Sequence, residues 1–128
     1  MSNKELYYNL FNNKLNEFFT DLITVFPDIK EFQTFQSGLS VLKNVNVKSP
    51  QIIFNNHILN KFKEEILKKD ENFFLNEAEY DILVKETDYW LDFIKQLKII
   101  WKTMSDENKE IIWKYLHILC ILSDKCNN

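Results

Sequence analysis

Arginine is missing from this chain: all 16 basic residues are lysine. Arginine's planar fork is the favoured partner of phosphates, carboxylates and guanine edges, so its absence counts against sequence-specific DNA reading, although lysine still binds phosphates. Glycine occurs once, at Gly38. A loop that cradles a phosphate needs backbone approach that only glycine-rich turns supply, which excludes nucleotide binding of that kind. With only two prolines besides, there is little material for tight hairpin turns, and the scarcity argues for helices. The two cysteines, Cys120 and Cys126, are too few for a disulfide-stapled scaffold and too far apart along one helix to bridge, so both read as thiols. No apolar run approaches the roughly 18 residues of a membrane span. The opening MSNKELYYNL lacks the basic-then-apolar order of a secretory signal and the second-position glycine of a myristoylation site. The expectation is an intracellular protein that is not secreted and has no membrane span.

What is present is globular. Hydrophobic residues make up 45% of the 128, charged residues 27% and aromatic residues 15%, enough to bury a core within one domain covering residues 1–128. Phe11, Leu15, Phe18, Leu22 and Phe26 recur at spacings of 4, 3, 4 and 4, which predicts a helix over 3–26 ended by Pro27. A second helix is expected from Asp28, with Ile29, Phe32, Phe35, Leu39, Leu42 and Val45 as its apolar stripe and 44–48 as connector. Ser49-Pro50 reads as a cap and first turn, opening a third helix to Lys69 with Ile52, Leu59, Phe62 and Ile66 inward. Residues 70–76 read as an ordered loop with Phe73, Phe74 and Leu75 against the core, and Asn76 with Glu79 as the start of a short helix to Val84. Thr87-Asp88 then caps a helix carrying Trp90, Ile94, Leu97, Trp101 and Met104. Ser105 caps the last helix, 106–125, with Asp106 and Glu107 in the first turn, where the helix dipole favours acids. Its stretch IIWKYLHILCIL is apolar around most of the circumference, which places it centrally. The fold expected is an all-α, compact bundle of five to six helices with a central C-terminal helix.

Residues that carry chemistry are few. His117, Cys120 and Cys126 are the nearest approach to a metal set, but Cys126 lies well round the helix from the face that His117 and Cys120 share, and zinc sites normally bring four ligands from two elements. A Cys-His nucleophile pair at the same place lacks a third orienting residue and a turn for an oxyanion hole. Both readings give way to a buried histidine and cysteine in an apolar helix. Gly38 reads as a close helix contact or slight bend. The aromatics Tyr89, Trp90, Trp101, Trp113 and Tyr115 read mainly as core, with room for one exposed anchor to a partner. No catalytic residue, cofactor or metal is expected.

Charge is distributed unevenly. Between Asp70 and Asp92 eight acids (Asp70, Glu71, Glu77, Glu79, Asp81, Glu86, Asp88 and Asp92) meet Lys85 alone, for a local net charge of −7 within an overall −3. Lys43, Lys48, Lys61, Lys63, Lys68 and Lys69 offset Glu64 and Glu65 in the preceding stretch. The acidic residues from Asp70 to Asp88 are the candidate surface for a basic protein partner, because complementary fields steer encounter and set register. The six lysines are the alternative, a phosphate-binding surface on nucleic acid, whose binding would weaken steeply with salt.

Three local patterns resemble a known group. The Phe26-Pro27-Asp28 break, the ENFFLN segment from Glu71 to Asn76, and the W-K-x-x-S-x-E-N-K-x-x-I-W-K-Y junction from Trp101 to Tyr115 resemble small helical proteins encoded by nucleocytoplasmic large DNA viruses, among them algal viruses and mimivirus relatives. The resemblance brings no catalytic residue with it. It implies a viral protein in the host cytoplasm, the replication compartment or the virion. The resulting expectation is a non-enzymatic interaction or structural protein that docks to other viral or host proteins.

Overall fold

The side chain that ties the bundle together is Phe93. Its ring lies 5.5 Å from Phe18, 4.8 Å from Phe19, 6.0 Å from Phe32 and 5.9 Å from Phe35, mostly edge to face, the arrangement that aromatic quadrupoles favour. These rings come from three helices of the computed structural model, which describes residues 3–71 and 89–127. In chain order the helices are α1 (Asn3–Val25), α2 (Lys30–Val45), α3 (residues 49–67), α4 (Tyr89–Trp101) and α5 (Asp106–Asn127). Among the described residues there is no strand, and the fold is an all-α bundle.

α1 buries Phe11, Leu15, Phe18 and Leu22 as their spacing predicts, and adds Tyr8, Asn12 and Phe19. It ends at Val25, two residues before Pro27. α2 starts at Lys30 rather than Asp28, with Ile29 as a cap that makes no side-chain bond. Phe32 and Phe35 are buried, but Val45, read as the end of the inward stripe, is 82% exposed. It is the last residue of its helix.

α3 departs most from its sequence pattern. Ser49 is not the cap: Asn46 Oδ1 accepts the Lys48 N–H at 3.0 Å, closing the connector, so the helix has already begun at Ser49 with Pro50 in its first turn. Ile52 faces outward, while Gln51, Phe54, Ile58, Phe62 and Ile66 are buried. Successive steps of four would drift roughly 40° each in a regular α-helix. Residues Asn55–Leu59 form a π turn, whose wider i→i+5 bonding offsets that drift and keeps the row on one face. The helix closes at Lys69, which has φ 55°. Asp70 N–H bonds Glu65 O and Lys69 N–H bonds Ile66 O, the Schellman pattern that normally ends on glycine.

In α4, Phe93, Leu97 and Trp101 are buried, and Met104 is buried just past the helix end. Ser105 caps α5 as expected, its Oγ accepting the Asn108 N–H at 3.2 Å. α5 runs antiparallel to α1, with Tyr115 stacked on Phe18 at 4.6 Å and Lys125 over the Tyr7 ring. It also meets α3, and reaches α4 through Trp113 against Trp101 at 5.4 Å. It is therefore central, yet Ile111, Ile118 and Ile121 stay exposed. Among the described residues no helix is long and apolar enough to cross a membrane. The expectations for Phe73, Phe74 and Leu75, the helix over 76–84, the Thr87 cap, and the side chains of Trp90 and Ile94 fall outside the residues whose structure is described.

Phe93→Ala removes the ring shared by three helices and is expected to cost about 3–5 kcal/mol, measured by urea denaturation. Val45→Ala serves as the exposed control and should change stability by less than about 0.5 kcal/mol; equal losses would show that Phe93 does not hold α1, α2 and α4 together.

Candidate functional site

α1 and α5 pack tightly along most of their length, but they diverge near the C-terminal end of α1 and leave a groove of about 140 Å³. A cavity of roughly 150 Å³ accepts an aromatic ring, so the groove has room for one large apolar side chain. Phe18, Leu22, Phe26 and Ile112 line it, and Val25 (46% exposed) and Ile111 (45% exposed) stand on either side. The apolar character follows from the sequence: the inward stripe of α1 continues past Leu22 to Phe26, while the α5 stripe begins only at Ile111.

One end of the groove is acidic. Tyr115 Oη donates to Asp21 and lies 3.4 Å from Glu17 Oε1. Glu17 also holds Lys14 at 3.0 Å. Burial, and then the bond to Asp21, push the Tyr115 phenol well above its usual value, with the charges of Asp21 and Glu17 acting in the same direction. The phenol's bond holds the Asp21 carboxylate at the rim of the groove. Thr24 and Asn108 complete the polar edge. A second, smaller pocket of about 40 Å³ lies between α1 and α2, with Asn12, Asn16, Gln36, Ser40 and Lys43 among its lining residues, large enough for ordered water.

The residues singled out from the sequence lie elsewhere. Asp70 is half-buried at the end of α3, and Glu71 is exposed with Lys109 at 3.7 Å. Glu77, Glu79, Asp81, Glu86 and Asp88 lie outside the described residues. Among the lysines, Lys63 pairs with Asp124 at 2.8 Å, Lys68 with Glu64 at 2.9 Å, and Lys69 with Glu110. Lys48 sits over the Tyr8 ring, and Lys43 and Lys61 are exposed on different helices. His117 Nε2 is 2.7 Å from Ile66 O, a bond that ties this ring nitrogen to the α3 backbone. Burial pushes the Cys120 thiol up to about 12 and that of Cys126 up to about 11, so both are poor nucleophiles near neutral pH. Among the described residues no three His, Cys, Asp or Glu side chains gather where they would hold a metal ion.

Sequence reasoning passed over Glu17 and Asp21, and read Tyr115 only as one of several aromatics that were mainly core. The available signal was the carboxylate pair at i and i+4 on α1, which costs a few tenths of a kcal/mol on an isolated helix unless a donor relieves it. No protein-family model, curated protein or solved structure matches the chain.

Because the folded state retains the Tyr115 proton more strongly than the unfolded chain, its contribution is complete below about pH 10 and is lost as the pH rises above that value toward the raised folded one. Tyr115→Phe should therefore cost about 1–3 kcal/mol at neutral pH, with the gap to wild type narrowing under alkaline conditions. Denaturation curves taken at both pH values give the comparison, and a gap that stays constant would show that this proton is not held by the fold.

Proposed function

We propose that this chain is a non-enzymatic interaction protein that docks through the groove between α1 and α5. The observation that carries the reading is the groove itself: an apolar floor open between two exposed aliphatic side chains, with a charged carboxylate at one end. Val25 and Ile111 join the groove floor into one apolar patch with a polar rim, the kind of surface that marks an interaction site. The carboxylate of Asp21, with Glu107 one helical turn before Ile111, selects a surface that presents an apolar anchor flanked by basic residues. The acidic residues 70–92 of the sequence bias the chain further toward basic partners.

The viral resemblance of the sequence would set this docking among other viral or host proteins, in the host cytoplasm, the replication compartment or the virion. The phosphate-binding alternative has less support, because three of the six lysines already hold carboxylates and the others are dispersed.

A fluorescent helical peptide with leucines on one face and lysines beside them tests the groove by anisotropy titration. Binding should weaken as salt is raised and fall roughly tenfold or more on Ile111→Glu, which places a charge at the groove's edge. Equal affinity for the variant and the wild type would remove the groove from the account.

A further inference from the structure

The outward face of α5 is patterned beyond the groove. Glu107, Ile111, Lys114, Ile118, Ile121 and Lys125 follow one another at spacings of 4, 3, 4, 3 and 4, and all six are exposed. That is the period of a helix-pairing seam, about 3.5 residues per turn. It is set on a helix whose opposite side is already buried through Leu116, Leu119 and Cys120. The spacing reads the same in both directions.

Polarity along the seam is not symmetric. Its N-terminal end combines Ile111 and Glu107 with Val25 and Asp21 of the antiparallel α1, an apolar and acidic surface. Its C-terminal end carries Ile118, Ile121 and Lys125, the last over the Tyr7 ring near the start of α1, an apolar and basic surface. Each end is therefore the partner chemistry that the other end calls for.

From this self-complementarity we infer that the surface is covered by a second copy of the same chain, docked about a two-fold axis so that the two α5 helices lie antiparallel. The inference rests on the docking reading of the groove and names its occupant. Rotation about an axis near residue 116 brings Glu107 of each copy to Lys125 of the other, Ile111 to Ile121, and Lys114 to Ile118, where the lysine's aliphatic stem covers the isoleucine and its ammonium reaches solvent. Ile121 of the second copy then falls beside Ile111 and Val25, at the mouth of the groove. The same contact is made twice, as a two-fold interface requires, along a seam of about 27 Å set by 1.5 Å per residue. A parallel pairing would oppose Glu107 to Glu107 and Lys125 to Lys125, so charge selects the antiparallel form.

Sedimentation velocity of the full chain over a range of concentrations reads the outcome directly. Wild type is expected to form a dimer whose population rises with concentration and falls with salt. Ile121→Glu should weaken dimerisation by roughly tenfold or more, with an unchanged helical circular dichroism spectrum because the side chain is 52% exposed. Glu107→Lys and Lys125→Glu should each weaken it, and the two together should restore it, since the exchanged charges meet again across the axis. A monomer at every concentration that still binds the basic peptide would overturn the second copy and leave the groove to another protein. A dimer indifferent to Ile121→Glu, or one that the double exchange fails to restore, would overturn the α5 seam.

Discussion

The long antiparallel contact between α1 and α5 is the constraint on which the remaining helices depend. α1 presents two adjoining apolar faces. One, through Phe18 and Leu22, meets Tyr115 and its neighbours on α5, and the other, through Phe19, meets Phe93. α2 is held by the same Phe93 through Phe32 and Phe35. α3 packs under the pair, with Phe54 at 5.3 Å from Phe11. Loss of the α1–α5 contact would thus leave α4 and α3 without one of the surfaces each is packed against, and so the bundle should unfold as one unit rather than helix by helix.

Apolar contact of this sort is tolerant of sliding, and the buried polar groups restrict it. Gln51 Nε2 donates to Ser123 Oγ at 2.7 Å, and both residues are almost fully buried. Moving α3 along α5 by one turn would strip that amide of its partner at a cost of about 1–3 kcal/mol. His117 on Ile66 O sets the other end of the same helix pair, and Asn12 Nδ2 on Val47 O ties α1 to the connector before α3 at 2.9 Å. Lys63 with Asp124 and Lys69 with Glu110 add charge pairing at solvent-facing positions, where ion pairs are worth about 1 kcal/mol at most. Their contribution is to orientation, and it takes two of the lysines that the sequence alone suggested for phosphate.

Helix class and the start of the last helix were legible because they rest on local chemistry. The spacing in α1 and the serine at 105 act within a few residues of themselves, and the structure follows both. Phe93 was not legible as the hub, since its importance comes from rings contributed by Phe18, Phe32 and Phe35, far away in sequence. Ile52 was misplaced because a regular period was assumed across residues 55–59, where the backbone widens into a π turn. Ser49 carries the right residue type for a cap, but Asn46 closes the turn earlier and leaves serine inside the helix. The groove was invisible for a related reason. It arises where two stripes, each regular on its own helix, stop matching along their shared length, and no single stripe records that.

The C-terminal helix shows how a sequence pattern can be correct in kind and incomplete in meaning. An almost continuous apolar run from Ile111 to Leu122 implies burial on every side, and α5 does contact three other helices. The bundle has no element to place over Ile111, Ile118 and Ile121 among its described residues, however, and these three lie on one face with lysine and glutamate at the same period. A helix that needed only to be anchored would gain from polar residues there, because Leu116, Leu119 and Cys120 already fix it. Isoleucine at those positions adds exposed apolar surface, and the flanking charges are opposite at the two ends. Surplus apolarity with ordered polarity is what an interface requires and what a core does not, so the excess that first marked this helix as central is also the ground for the docking face proposed on its outer side.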